Sequence, residues 1–228
     1  MSEYARLRTL IVADAAGPQV RRWTRNLLTD ICSGRSGIAA VRHPLGFLCF
    51  PAWRGGGLGI CVHVWTDGVR PAPTTSAVHA HSWDLLSFVL YGAVGNDIIE
   101  LDSAPPYPTH RVFEVHSAAH GDLVRATKRV VGYRTRSSQR FRAGEVYTLP
   151  HGAFHVSNVT GEAATVVLGE DRSSTPDLSL GTLTTHDHWV RRNPCTVTET
   201  RRAAQTVLDH LQDNALPEQW ENRCEQAR

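Results

Sequence analysis

The strongest structural signal in the chain is the stretch from Gly144 to Asn158, which reads GEVYTLPHGAFHVSN. It begins with a short run of strand-forming residues at 146–149. Pro150 and Gly152 then predict a tight turn, because proline fixes φ and glycine adopts the backbone conformations that turns require. A second strand follows and carries His155. The pattern predicts two strands joined by a turn, with a histidine close to the turn.

A second stretch, from Val78 to Gly92, reads VHAHSWDLLSFVLYG. His79 and His81 are separated by one residue, so on a strand both side chains point to the same face. Two imidazoles on one face can bind one metal ion, and neutral imidazole suits several first-row transition metals. The pattern predicts a strand with the histidines, a short turn carrying Asp84, and an apolar strand that ends at Gly92.

Together the two stretches resemble the paired motifs of the cupin family. The later stretch matches one motif at four positions and, to within one residue, at a fifth: Gly144, Pro150, Gly152, His155 and Asn158. The earlier stretch matches the other motif at His79, His81 and Gly92, although no glycine precedes His79 at the family's distance. The resemblance covers about residues 40–170.

This resemblance implies an all-β fold, a cupin-type double-stranded β-helix (jelly-roll) barrel with N- and C-terminal helical additions. It also implies that His79, His81 and His155 bind one metal inside the barrel. Three protein ligands leave open positions for water, substrate or dioxygen, as in catalytic metal sites. The triad is similar to that of the thiol dioxygenase branch, so iron(II) is the expected metal, with zinc, nickel and manganese as alternatives.

The chain departs from the family pattern at the glutamate of the first motif. The equivalent position falls at Leu85 or Leu86, and neither side chain can bind a metal. Asp84 is the nearest carboxylate, one residue early, and three roles remain open for it: a metal ligand, a partner or base beside the metal, or a structural residue of the turn. Asp84 and Tyr91 are the candidate catalytic residues, because either one could place a proton.

The rest of the chain predicts many short strands between turns, with helices near its ends. We expect an N-terminal helical extension over residues 1–37, the β-barrel over residues 38–181 and a C-terminal helical extension over residues 182–228. The N-terminal extension is expected to be removable without loss of the metal site. The 51 residues between Gly92 and Gly144 are expected to supply extra strands or a lid.

Several further side chains are candidates for the pocket or for other roles. Trp83 lies beside the predicted metal turn, and His63 lines the pocket if its strand face looks into the barrel. An arginine inside the barrel would pair with an anionic ligand, and the candidates for this role are Arg111, Arg125 and Arg134. The second H-x-H pattern, at residues 186–188, is expected to lie in a loop or at the edge of a lid. The five cysteines are scattered without a CxxC pair, so neither disulfides nor a cysteine metal site is expected.

Composition narrows the function classes. Of the residues, 41% are hydrophobic and 20% are charged, as in an ordinary globular protein, and the net charge of +2 gives no basis for binding nucleic acid or a membrane surface. The sequence contains no run of about 20 apolar residues, and residues 1–9 lack the core of a signal peptide. A cytoplasmic protein without nucleic-acid or membrane partners is expected.

These observations predict a mononuclear iron(II) oxygenase that acts on a small polar metabolite of the amino acid or thiol type, together with dioxygen. Two alternatives stay open. One is non-oxidative lyase or isomerase chemistry with the metal as Lewis acid, and the other is a non-catalytic cupin that binds a small ligand. Exposed sheet edges in cupin barrels often pair, so a homodimer is also open.

Overall fold

The computed structural model of the chain describes residues 1–13, 17–66, 76–118, 121–172 and 176–213. Within these ranges it has three helices: α1 (Glu3–Val12), α2 (Gly17–Ser33) and α3 (Val197–Asp213). Cys224, one of the five cysteines, lies outside the described residues, as do residues 214–228 of the expected C-terminal helical extension. None of the described helices has the length and apolar character needed to span a bilayer.

Thirteen strands make up about half of the described chain: β1 (Val41–His43), β2 (Phe47–Gly55), β3 (Leu58–Trp65), β4 (His79–Ala80), β5 (Trp83–Tyr91), β6 (Ala93–Asp102), β7 (His110–Ala118), β8 (Gly121–Arg142), β9 (Val146–Leu149), β10 (His155–Asn158), β11 (Ala163–Asp171), β12 (Asp177–Thr182) and β13 (His188–Val190). Sheet 1 has the order β1-β2-β3-β11-β5-β9, and sheet 2 has the order β13-β8-β6-β10-β4-β12-β7. All pairings between these strands are antiparallel. The predicted all-β, two-sheet architecture of a jelly roll is confirmed by this strand order.

The long segment between Gly92 and Gly144 was expected to supply extra strands or a lid. It forms strands. β8 is 22 residues long. Its first half pairs with β7, and its second half pairs with β6. Because β6 and β7 lie far apart in the order of sheet 2, β8 connects the two sides of that sheet.

The glycine-rich segment at 55–57 is the hairpin that its composition predicts. Gly55 pairs with Leu58 across the two-residue turn between β2 and β3. Gly56 and Gly57 have φ values of +57° and +74°, which the tight turns of β-hairpins require and glycine adopts at low cost.

The helices are part of the main hydrophobic core. Side chains alternate along the strands of sheet 1, and its outer residues, such as Val62 and Val166, are fully buried. They pack in one cluster with Leu7 of α1, Leu28 of α2 and Val207 of α3, which are also fully buried. Removal of residues 1–37 would expose this face of the sheet, and the expectation that the metal site survives their removal stays a prediction.

The boundary expected at residue 181 also differs from the structure. Residue 181 lies inside β12, which ends at Thr182. A further strand, β13, then joins sheet 2 by pairing with β8. The segment beyond residue 181 thus contributes a strand as well as the helix α3, and it carries a residue of the site described below.

Candidate metal centre

Three histidines meet between the two sheets. His79 and His81 lie on either side of Ala80 and share a face, whereas Val78 and Ala80 point to the opposite face and pack in a separate apolar cluster. His155 is the first residue of β10 and is the cross-strand partner of His79. Antiparallel pairing therefore places the third imidazole beside the first two.

The three rings are close enough to share one ion. Ring centroids are 4.2 Å apart for His79 and His155, 4.7 Å for His79 and His81, and 5.3 Å for His81 and His155. One nitrogen from each ring lies within 4.8 Å of the corresponding nitrogens of the other two. The structure thus brings together the three histidines that the sequence pattern singles out.

Hydrogen bonds to the main chain orient two of the rings. The Nδ1–H of His79 donates to the carbonyl oxygen of Ala77 at 2.9 Å, and that of His155 donates to the carbonyl oxygen of Ala153 at 3.0 Å. A carbonyl oxygen only accepts, so the proton resides on Nδ1 and the lone pair on Nε2. This is how metal-binding histidines are usually held, with the second nitrogen fixing the tautomer.

Burial keeps the imidazoles neutral. It lowers the pKa of His79 and of His81 well below the usual value for histidine, and the neighbouring imidazoles of the triad lower both further. Burial also lowers the pKa of His155, which is 1% exposed. Neutral imidazole is the form that binds a metal, so the triad is ready to coordinate at neutral pH.

The donor set fits a first-row transition metal. An ion with bonds of about 2.0–2.1 Å to imidazole nitrogen holds its ligand atoms about 3–3.5 Å apart in a compact arrangement. The observed limit of 4.8 Å between donor atoms is consistent with such a site after small side-chain adjustments. Imidazole ligands suit zinc, iron, copper and nickel alike, so the donors identify a class of metal rather than one element.

The triad opens onto a cavity of about 710 Å³ between the sheets. This volume falls within the range of about 300–1,000 Å³ that small-molecule sites occupy. His79 and His81 lie on its wall, and the expected pocket residues Trp83 and His63 lie there too. His116 is half exposed and also lines the cavity.

Asp84 does not join the histidines. β5 is regular from Trp83 to Val89, and both Trp83 and Leu85 line the cavity, so Asp84 between them points to the other face. Its Oδ1 accepts hydrogen bonds from the backbone N–H and from Nδ1 of His151, both at 2.8 Å, and its Oδ2 accepts one from Nε of Arg172 at 2.6 Å. Among the roles left open for Asp84, the structure supports the structural one.

This arrangement predicts a pH-dependent contribution of Asp84 to stability. Hydrogen bonds from His151 and then from Arg172 hold the pKa of the Asp84 carboxyl well below its usual range. The folded-state pKa is lower than the unfolded one, so the stabilisation is present above about pH 4 and is lost as pH falls below that value. We expect Asp84→Asn to lower stability by about 1 kcal/mol at pH 7, since the carboxylate is partly exposed.

The measurement for Asp84 is thermal unfolding of wild type and Asp84→Asn at neutral and acidic pH, alongside metal content. The difference in Tm should be roughly 2–4 °C at neutral pH and should shrink in acid, with metal content unchanged. A variant that loses its metal while keeping its Tm would instead place Asp84 at the metal.

Tyr91 is likewise not in the cavity, and a β-bulge explains why. Strict alternation along β5 would put Tyr91 on the face of Val89. The pairing of β5 with β11 shifts there, because Thr165 is opposite Val89 while Ala164 is opposite Tyr91, which leaves Leu90 unpaired. The extra residue turns Tyr91 to the outer face, where its ring stacks on His210 of α3 with centroids 4.2 Å apart. Tyr91 therefore does not line the cavity, and a catalytic role for it stays a prediction without support from its position.

The hydroxyl of Tyr91 gives a simple prediction. It is buried and has no hydrogen-bond partner within the described part of the chain. Burial, with the nearby Glu162, raises the pKa of Tyr91 above its usual value, so the group stays neutral. We expect Tyr91→Phe to leave metal content unchanged and to change stability by between zero and about +1 kcal/mol, since an unpaired buried hydroxyl is unfavourable. Urea unfolding measures this, and a loss of activity with retained stability would contradict it.

The three arginines proposed for the pocket lie elsewhere. Arg111 donates to the carbonyl oxygen of Thr127 at 2.8 Å, Arg125 is exposed, and Arg134 forms an exposed ion pair with Glu100. The arginines that do line the cavity are Arg54 and Arg192. Arg54 is in the hairpin before Gly55, and Arg192 follows β13, in the segment that was expected to be helical.

Arg192 is held by a buried carboxylate. Its Nε donates to Oδ2 of Asp122 at 2.5 Å, and the hydroxyl of Ser117 donates to Oδ1 of the same side chain at 2.8 Å. Asp122 is 4% exposed, whereas the Arg192 side chain is 34% exposed. The guanidinium charge therefore lies on the cavity wall. It lowers the pKa of His81, although burial and the neighbouring imidazoles lower that pKa more.

A second group of metal-binding residue types lies on the same cavity. Donor atoms of Cys49, Cys61 and His63 are within 4.8 Å of one another. No cysteine metal site was expected from the sequence, so this group was not anticipated. The sequence signal that could have indicated this group is the Cys-x-His spacing at 61–63, which puts both side chains on one strand face.

Comparison with known proteins finds solved structures that resemble part of this chain. No protein-family model matches the sequence, and no curated protein matches it. An RmlC-like cupin from Shewanella frigidimarina has 11% identity and a TM-score of 0.35, with 60% of this chain and 87% of that chain covered. A cupin superfamily protein from Desulfitobacterium hafniense has 11% identity and a TM-score of 0.32, with coverages of 55% and 77%.

A third similar structure is hydroquinone 1,2-dioxygenase from Sphingomonas, solved with 4-hydroxybenzoate bound. Its identity is 14% and its TM-score 0.33, with 55% of this chain and 66% of that chain covered. The neighbours are thus cupin superfamily proteins. Values this low carry no conclusion about what this chain binds, and its fold rests on its own strand order.

Proposed function

We propose that this chain is a mononuclear metal-dependent enzyme of the cupin type, and that it is an iron(II) oxygenase acting on a small polar metabolite of the amino acid or thiol kind. His79, His81 and His155 would hold the metal. The observation that carries the proposal is the convergence of three neutral imidazoles, two of which, His79 and His81, lie on the wall of a cavity large enough for a metabolite.

The ligand count favours a catalytic metal over a structural one. Structural sites close the coordination shell with four protein ligands, whereas catalytic sites keep a position open. Here the position at which the family places a carboxylate is Leu85, which lines the cavity but cannot coordinate. The described residues therefore offer three protein ligands at the triad.

Main-chain groups beside the triad would fix the orientation of the metal ligands before reaction. When bound, iron(II) supplies the one-electron chemistry that dioxygen requires. The carbonyl oxygens of Ala77 and Ala153 keep the His79 and His155 rings in place through Nδ1. Fixed rings require no rearrangement during reaction, which is the usual advantage of a preorganised site.

A cationic side chain on the cavity wall supports an anionic group on the substrate. Arg192 is anchored through Nε by the buried Asp122, so its position is defined before a ligand arrives. A planar guanidinium recognises carboxylate through paired hydrogen bonds. We propose that Arg192 binds the carboxylate of an amino acid or of a similar metabolite.

Oxygen uptake tests the proposal. Protein purified without oxygen and loaded with iron(II) is mixed with a panel of amino acids and small thiols, and oxygen consumption is followed with an electrode. We expect uptake that depends on one class of substrate, is abolished in His79→Ala, and is retained in the exposed control His186→Ala.

The outcomes separate the functions. Substrate-dependent oxygen uptake that survives loss of a triad histidine would contradict the assigned site. Turnover of a substrate by zinc-loaded protein in the absence of oxygen would replace the oxygenase with a Lewis-acid enzyme. Metal-independent binding of a ligand without turnover would replace it with a binding protein.

A further inference from the structure

The cavity carries a second set of metal-binding side chains opposite the triad. Cys49 lies on β2, and its cross-strand partner on β3 is His63. Cys61 lies two residues before His63 on β3, so the two side chains share a face. Antiparallel pairing thus places all three side chains on the inner face of sheet 1, and all three line the cavity.

The three donor atoms form a compact group. The two sulfurs and a ring nitrogen of His63 lie within 4.8 Å of one another. A tetrahedral zinc ion, with bonds of about 2.3 Å to sulfur and about 2.0 Å to nitrogen, separates its ligand atoms by about 3.5–3.8 Å. The observed spacing accommodates such an ion with small rotations of the side chains.

Neighbouring rings restrict His63. Its ring contacts Phe47 with centroids 4.5 Å apart and Trp65 with centroids 6.1 Å apart. Phe47 in turn stacks on His43 at 4.2 Å. A ring held on two sides has few alternative orientations, which lowers the entropic cost of metal binding.

A cationic side chain shares this part of the cavity with the two thiols, since Arg54 lines it together with Cys49 and Cys61. The positive charge of Arg54 also acts on both thiols. Cysteines beside cations are the ones that ionise and bind metals, unlike cysteines in apolar packing.

We propose that Cys49, Cys61 and His63 form a second metal site that takes zinc(II). Two thiolates neutralise the charge of a divalent ion, so the occupied site adds no net charge to the cavity wall. Thiolate ligands select softer ions than the three imidazoles opposite them do. Three protein ligands leave a fourth position, which is available for water or for a ligand in the shared cavity.

Cobalt(II) reports on this site through sulfur. Reduced, metal-free wild-type protein is titrated with cobalt(II) without oxygen, and the near-ultraviolet charge-transfer band from thiolate to cobalt is recorded. We expect the band to saturate within two equivalents of cobalt per chain, because the triad also takes the ion, to be lost in Cys61→Ser, and to remain in the control Cys32→Ser, because Cys32 lies on α2 away from the cavity. Zinc should displace cobalt, since zinc binds such ligands more tightly.

The triad contains no sulfur, so the band should also persist in His155→Ala. The test of the second site therefore stays valid even if the assignment of the triad fails. A measurement on wild type avoids any folding defect of the variants: zinc should slow alkylation of Cys61, followed by mass spectrometry, and leave Cys32 unaffected. Absence of the thiolate band in wild type, or alkylation of Cys61 that zinc does not slow, would overturn the second site.

Discussion

Replacing His155 with alanine should remove the metal from the triad. The affinity for iron(II) is expected to fall by about 100-fold or more, because disturbing only the partner of a metal ligand already costs about 10–100-fold. His155 is fixed in the sheet on both sides, since it pairs with both β4 and β6, and its ring lies 4.2 Å from that of His79. Iron content after anaerobic loading and gel filtration gives the result directly.

The matched control for this experiment is His186→Ala, which removes an exposed histidine that does not line the cavity. It should keep the iron content of wild type. Because His155 is buried, its variant is also checked by circular dichroism and urea unfolding, so that loss of metal is not confused with loss of fold. Full iron occupancy in folded His155→Ala would contradict the assignment of the triad.

Replacing Gly92 with alanine should destabilise the protein more than any other glycine-to-alanine change discussed here. Gly92 lies between β5 of sheet 1 and β6 of sheet 2, where the chain crosses from one sheet to the other. Its φ is +73°, and a Cβ added there would lie 2.2 Å from the carbonyl oxygen of Glu162 and 2.8 Å from the Cα of Ala163. Both obstacles are backbone, so relief requires the strands to move.

We expect Gly92→Ala to lower the free energy of unfolding by about 4 kcal/mol or more, the range that only severe strain or packing defects reach. Gly144→Ala is the control, because Gly144 has φ +90° but no atom within 4 Å of an added Cβ. In that variant the free energy of unfolding should fall by only about 1–2 kcal/mol, the conformational cost of a positive φ for a residue with a Cβ. Urea unfolding compares them, and equal losses would show that the contact with residues 162 and 163 is unimportant.

The triad is the part of the site that can be predicted from local sequence. The spacing of His79 and His81 fixes their common face on any strand, and the Pro150–Gly152 turn places His155 at the start of the next strand. No long-range information is needed for these predictions beyond the expectation that the two strands are neighbours. The resemblance to the cupin motifs supplied that expectation, and the pairing of His79 with His155 confirmed it.

Residues whose position depends on strand irregularity were harder to predict. Tyr91 follows the alternation of β5 in sequence, but the bulge at Leu90 reverses its direction, and nothing in the local sequence reveals which strand will be bulged. Asp84 presents the opposite case. The turn expected there does not form, so regular alternation directs it away from the histidines.

Residues brought in by tertiary structure were missed altogether. Arg192 reaches the cavity because β13 pairs with β8 far along the chain, and its partner Asp122 lies 70 residues earlier. Cys49 meets Cys61 only through the register of β2 and β3, which their spacing in sequence does not specify. Such contacts depend on strand order and register, which a single sequence does not specify.

The most direct test of the triad is the iron K-edge X-ray absorption spectrum of protein loaded with one equivalent of iron(II) and kept free of substrate and oxygen. The account predicts the scattering pattern of imidazole ligands, with nitrogen and oxygen nearest to the iron and no sulfur, and it predicts a weaker imidazole contribution in His155→Ala. Sulfur bound to the iron, or a spectrum unchanged by the loss of His155, would contradict it.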